Sequence, residues 1–248
     1  MDKNDFYDHL RTRTASDNAH RIATAMEESG LLDRLHFLKD GLSTSVFTIE
    51  GSNLVLKIFD QRRQKNAPLR PSRFTLQNRE QLTLQDDSPV SISLAPKLTD
   101  KGVTLLHQEM LRYKLWTEEG SDFWDILPSH SQPHEIKNVL LDASGVPYQI
   151  DSDAVRRFDD RYNKYPANGD GKRSDADYLR YRKDSFNRHG RSDAISAERF
   201  AAIAAACDAC EWPLNQGKLL SDAADQNVLA SFKTALRSLR TPQSLAAR

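Results

Sequence analysis

Asn138 and Asp151 are the two residues whose types and spacing say most about chemistry. Between them the chain is apolar at Val139, Leu140 and Leu141, turn-forming from Asp142 to Gly145, and apolar again from Val146 to Ile150. That pattern predicts a β-hairpin. Folding the strands back brings Asn138 and Asp151 to one end, where an amide oxygen and a carboxylate can share a hard cation such as Mg²⁺, with phosphates and water completing its shell. The same residues also suit a polar-ended hairpin in some other α+β domain.

A lysine inside an apolar strand is the second feature. Residues Leu35 to Phe59 spell a strand, a small-residue turn from Asp40 to Ser45, a strand over Val46 to Ile49, a tight turn over Glu50 to Asn53, and a strand from Leu54. Gly41 and its hydroxyl-bearing neighbours let backbone N–H groups approach an anion without side-chain obstruction. Lys57 costs free energy to bury unless it meets a fixed negative charge, so a phosphate or carboxylate partner is implied. On an edge strand it would simply be solvated.

Hairpin, lysine strand, helix, two strands and Asn/Asp hairpin follow one another in an order that resembles the protein kinase-like superfamily over roughly residues 35 to 155. Within it, the pattern resembles compact or divergent bacterial, effector-type kinases. The resemblance implies an α+β, two-lobed protein kinase-like fold with a small antiparallel-sheet N-lobe and a reduced, mostly helical C-lobe. It would run as an N-terminal helical extension (1–34), an N-lobe (35–110) and a C-lobe (111–248) holding a catalytic-type loop (131–155) and C-terminal helices.

The resemblance also implies roles. Gly41, Ser43, Thr44, Ser45 and Val46 would cover ATP, Lys57 would hold its phosphates, and Glu80, on a helix expected from Ser72, would brace Lys57. Gln108, Glu109 and Met110 would meet the adenine at a hinge, and Asn138 and Asp151 would bind Mg²⁺. Two departures stand out. Only Gly41 of the three family glycines remains, with Lys39 and Thr44 at the outer positions, and the family's catalytic Asp is replaced by Pro133. His134 or Glu135 is then expected at the acceptor hydroxyl, with Asp153 as a further acid nearby. The implied activity is ATP- and Mg²⁺-dependent phosphotransfer to Ser or Thr of a protein substrate, a host protein among the candidates. The alternative is a catalytically impaired pseudokinase acting as a protein-binding scaffold; transfer of AMP and a small-molecule kinase also stay open.

With 248 residues there is room for one large domain or two lobes. A formal charge of zero argues against a dedicated nucleic-acid or membrane-surface binder. No apolar run approaches the roughly 20 residues of a membrane span, and the first residues lack the pattern of a cleaved signal peptide. The expectation is a cytoplasmic protein, or one delivered into a host cell by a specialised secretion system. Helical spacing is expected over 5–35, strands over Ile92 to Leu98 and Val103 to Met110, and helices over Ser196 to Ala206 and Ser221 to Leu239 that pack the base of the large lobe. The basic stretch 156–191 reads as a solvated loop or as a dock for an acidic partner or nucleic acid. Cys207 and Cys210 read as small helix residues or as a dithiol. Oligomeric state leaves no signal.

Overall fold

The structure, a computed structural model, describes residues 1–41, 43–63, 73, 74, 76, 78, 80–85, 88–123, 139–150, 155–157, 165, 167–184, 194–212 and 222–240. In chain order its elements are α1 (Lys3–Arg11), α2 (Ser16–Glu28), β1 (Leu35–Asp40), β2 (Thr44–Ile49), β3 (Leu54–Asp60), β4 (Glu80–Leu84), β5 (Val90–Pro96), α3 (Leu105–Lys114), β6 (Ser121–Phe123), β7 (Val139–Leu141), β8 (Pro147–Gln149), β9 (Val155–Arg157), α4 (Asp175–Asp184), α5 (Ala197–Ala209) and α6 (Ala223–Arg240). The class is α+β. Two compact units are present: Met1–Ala67 with Gln77–Lys97 and Asn215–Arg248, and Pro68–Leu76 with Leu98–Leu214.

The first unit is built on a five-stranded antiparallel sheet of order β1-β2-β3-β5-β4. Residues opposite one another in register share a face, and successive residues alternate. Phe47, Leu56 and Leu94 therefore line one face with Ile58 and Ile92, and this face is buried with Phe6 and Leu10 of α1, Ile22 and Met26 of α2, and Val228, Phe232 and Leu239 of α6. Each such side chain contributes about 1.5–3 kcal/mol when taken out of water. The last helix thus packs on this sheet rather than at the base of a large lobe, and the N-terminal helices join the same core. That grouping differs from the division expected at 34/35 and 110/111; the apolar stripe of α6 finds its complement on the sheet.

Two expected elements change type. Instead of a helix running from Ser72, β4 occupies Glu80–Leu84, because Leu82 and Leu84 repeat every second residue and both pack with the core. The expected strand over Val103 to Met110 is the helix α3. Its start is set by Thr104, whose backbone N–H donates to His107 Nδ1 at 3.0 Å.

In the second unit, α3 runs into a π-helical turn, Leu115–Glu119, closed by Gly120 at φ 61°. A Cβ at Gly120 would lie 2.7 Å from Arg173 Nη1, so both the backbone and the close approach call for glycine there. β6 pairs with β9 and β7 with β8. Phe74, Leu111, Leu115, Tyr148, Ile203 and Trp212 form one core, and Trp116, Tyr165, Tyr178 and Tyr181 a second. The basic stretch expected as a solvated loop contains α4, whose Tyr178, Tyr181 and Arg182 are buried. Ser174 Oγ accepts from the Asp177 N–H at 3.1 Å and starts that helix. Cys207 and Cys210 are free thiols, and burial pushes them up to about 12 and about 11. They are poor nucleophiles in the folded chain. No helix among the described residues is long and apolar enough to cross a membrane.

Asp225 tests the docking of α6. Buried at the start of the helix, it accepts from Ser52 Oγ at 2.6 Å and from the Asn53 N–H at 2.8 Å, pinning the β2–β3 turn. Asp225→Ala is expected to destabilise the chain by about 2–3 kcal/mol in urea unfolding, since it strands two donors.

Candidate functional site

Lys57 lies in the middle of β3, directly opposite Val46 of β2 and Ser93 of β5. Alternation puts it on the face away from the helical core, together with Thr44, Val55, Ser91, Ser93 and Ala95. The β5 residues on this face are small, whereas its other face carries Val90, Ile92 and Leu94. Lys57 therefore stands beside short side chains. Ser91 is tied to its neighbours, sharing a 2.6 Å hydrogen bond with Thr83 Oγ1 and accepting from Gln61.

Of the expected nucleotide-covering residues, Thr44 and Val46 share the Lys57 face. Ser45 does not: it is buried on the helix side, where its hydroxyl accepts from Arg13 Nε at 2.8 Å. The Gly41 N–H donates to the Thr44 carbonyl at 2.7 Å, and the Ser43 carbonyl accepts from the Asp60 N–H at 2.9 Å. Between them Leu42 is outside the described residues. So the Gly41 amide is taken up within the turn, and the Ser43 carbonyl ties the turn to β3.

Glu80 is a correction. Opposite Leu94, which is opposite Leu56, it belongs to the helix-covered face, one residue out of phase with Lys57. Its carboxylate meets Lys233 of α6 at 3.1 Å. A brace for Lys57 would have to share its face, and Glu80 cannot do so without a register slip.

Glu109 and Met110 are also corrections, because both are inside α3 rather than on a hinge strand. Met110 is buried in the core of its unit. Glu109 accepts from Arg182 Nη1 at 2.5 Å, with Arg199 at 3.6 Å, and joins α3 to α4 and α5. Burial and the charge of Arg112 oppose the Arg182 guanidinium, yet Tyr178 and Glu109 outweigh them and hold its pKa above the ordinary value. The pair is a structural tie.

The hairpin expected between Asn138 and Asp151 is formed, with Val139 opposite Gln149, Leu140 opposite Tyr148 and Leu141 opposite Pro147. Asp142 makes its turn: Oδ1 accepts from the Ser144 and Val146 N–H groups at 2.8 and 2.9 Å, and Gly145 takes φ 79°. His134, Glu135, Asn138, Asp151 and Asp153 lie outside the described residues. Among the described residues, no group of three or more His, Cys, Asp or Glu is arranged to hold a metal.

Arg13 is the residue that sequence reasoning passed over. It is 6% exposed, and its guanidinium spans Ser45 Oγ, the Gly41 carbonyl at 3.1 Å and Asp40 Oδ1 at 3.0 Å. Asp40 responds: burial would raise its pKa, but hydrogen bonds from Ser45 and Arg13, and the Arg13 charge, hold it below the ordinary carboxylate value.

No protein-family model and no curated protein matches this chain.

Two outcomes are expected. Glu109→Ala removes the carboxylate that meets the buried Arg182 guanidinium and should cost about 3–5 kcal/mol in chemical denaturation. Because the Asp40 pKa is depressed in the fold, its contribution is complete above the ordinary carboxylate value of 3.8 and is lost as pH falls through the lower folded value. The stability difference between wild type and Asp40→Asn should therefore shrink on acidification below 3.8. With the Asp40 side chain 43% exposed, solvent screening keeps the effect small.

Proposed function

We propose that the chain is an ATP- and Mg²⁺-dependent phosphotransferase of the protein kinase-like type, acting on Ser or Thr hydroxyls of a protein, and on a host protein where the chain is delivered into a host cell. The observation that carries this reading is the position of Lys57. It sits mid-sheet, opposite the first apolar residue after the Gly41 turn, on the face not taken by the helical core. An ammonium held there is suited to charge neutralisation of phosphates, and phosphoryl transfer depends mainly on such positioning and neutralisation. Val46 and Val55 supply an apolar shelf beside it.

Mg²⁺ would be held by Asn138 and Asp151, an amide and a carboxylate whose hard oxygens suit that ion. The β7–β8 register supports the idea, since both residues flank the paired strands in sequence. When bound, the ion neutralises charge on the phosphates. The acceptor hydroxyl would lose its proton to His134 or Glu135 as its oxygen bonds to the γ-phosphorus and the bond to ADP breaks.

A scaffolding pseudokinase is the second reading. Pro133 in place of the catalytic Asp favours it, as does the Glu80 carboxylate turned away from the Lys57 face. Transfer of radiolabelled γ-phosphate to the protein itself or to host lysate separates the two. Wild type should transfer, and Lys57→Ala and Asp151→Ala should each lose on the order of 10²-fold or more. Binding of ATP·Mg²⁺ without transfer would establish the scaffold; no binding at all would end the kinase-like reading.

A further inference from the structure

Between α1 and α2 the chain passes beside the turn that joins β1 to β2, and Arg13 spans the two. Its fork engages three acceptors in that turn: Ser45 Oγ through Nε, and the Gly41 carbonyl and Asp40 Oδ1 through Nη2. Only a planar guanidinium reaches acceptors on both sides in this way; a lysine there would serve one at a time. On the same face, Arg62 grips Asp60 through both carboxylate oxygens, at 2.8 and 2.9 Å, and reaches the Arg13 carbonyl at 3.4 Å. The Asp60 N–H in turn holds the Ser43 carbonyl at 2.9 Å. Thr14, next to Arg13, donates to the Ser88 carbonyl at 2.7 Å, so the linker itself is anchored to the sheet. Side chains on the helix face thus restrain the turn, leaving Thr44, Val46 and Lys57 on the opposite face.

We propose that Arg13 is a positioning residue of the nucleotide site, fixing the turn between β1 and β2 from the helix-covered side so that it meets the phosphates in a single conformation. The inference rests on the phosphotransferase reading above and deepens it. A turn free to sample several conformations must be ordered on binding, and that cost is subtracted from affinity. Arg13 removes the cost in advance. The N-terminal helices are then part of the site without touching the ligand.

The test is titration of ATP·Mg²⁺ into the full chain and its Arg13→Ala, Arg13→Lys and Ser45→Ala variants, well below each melting temperature, with circular dichroism to verify folding. Arg13→Ala should bind about tenfold more weakly, and Arg13→Lys and Ser45→Ala about threefold. A purely structural role would lower the melting temperature and leave the affinity unchanged, and that result in folded Arg13→Ala overturns the proposal. Should Arg13→Ala fail to fold, Ser45→Ala decides, because it removes one acceptor and keeps the charge; wild-type affinity there overturns it. A wild type that does not bind ATP·Mg²⁺ sinks the phosphotransferase reading and this proposal together, whereas equal binding by wild type and folded Arg13→Ala sinks only the proposal.

Discussion

Side chains in the five-stranded sheet alternate every second residue, and an unbroken register ties that alternation across β2, β3, β5 and β4. Phe47, Leu56 and Leu94 fall on one face while Val46, Lys57 and Ser93 fall on the other. A slip of one residue would exchange the two sets, exposing the apolar row and driving Lys57 into the core. With about 1.5–3 kcal/mol at stake for each large apolar side chain, several of them together exceed the stability of an ordinary domain. Burial of one face therefore dictates what the other can present. The register and the buried row behind it fix which face Lys57 takes.

Polar ties then join segments remote in sequence to this frame, and they are not equal. The Glu80–Lys233 pair, with side chains 31% and 44% exposed, is of the kind worth about 0–1 kcal/mol. Asp225 and Arg13 are buried and each serve several groups, so losing either leaves polar atoms stranded. In the second unit Glu109 and Arg182 do the same for α3 and α4. That role explains a carboxylate in the interior of a helix, where a solvent-facing residue is the ordinary expectation.

What could be read in the sequence followed period and turn chemistry. Strands β1, β2, β3 and β5 and the β7–β8 hairpin show alternating or short apolar runs bounded by Gly, Asn, Asp and Ser, and their bounds came within a few residues. β4 was missed because a helix was expected to run on from Ser72, although Leu82 and Leu84 repeat with the period of a strand. Thr104 and Ser174 carried start signals for α3 and α4, but Val103 to Met110 was expected as a strand, and the charge of 156–191 pointed to a solvated loop. Alternation of Ser91, Ser93 and Ala95 with Val90, Ile92 and Leu94 announced the small-residue face, yet nothing short of the sheet order showed that Lys57 stands beside it. Arg13 had no local signal, since its acceptors Asp40, Gly41 and Ser45 lie far along the chain, the last two 28 and 32 residues away. Glu109 has the same history, with a partner 73 residues on.

A lysine held in the middle of a sheet opposite the residues that follow a small turn, with the apolar core behind it, is the feature on which the nucleotide reading stands. An acyl-phosphate derivative of ATP transfers its tag to a lysine lying against the bound phosphates, and peptide mass spectrometry identifies which lysine it was. Lys57 should be the residue tagged, with labelling suppressed by excess ATP·Mg²⁺. Tagging of other lysines alone, or labelling of Lys57 that ATP·Mg²⁺ fails to suppress, would contradict it.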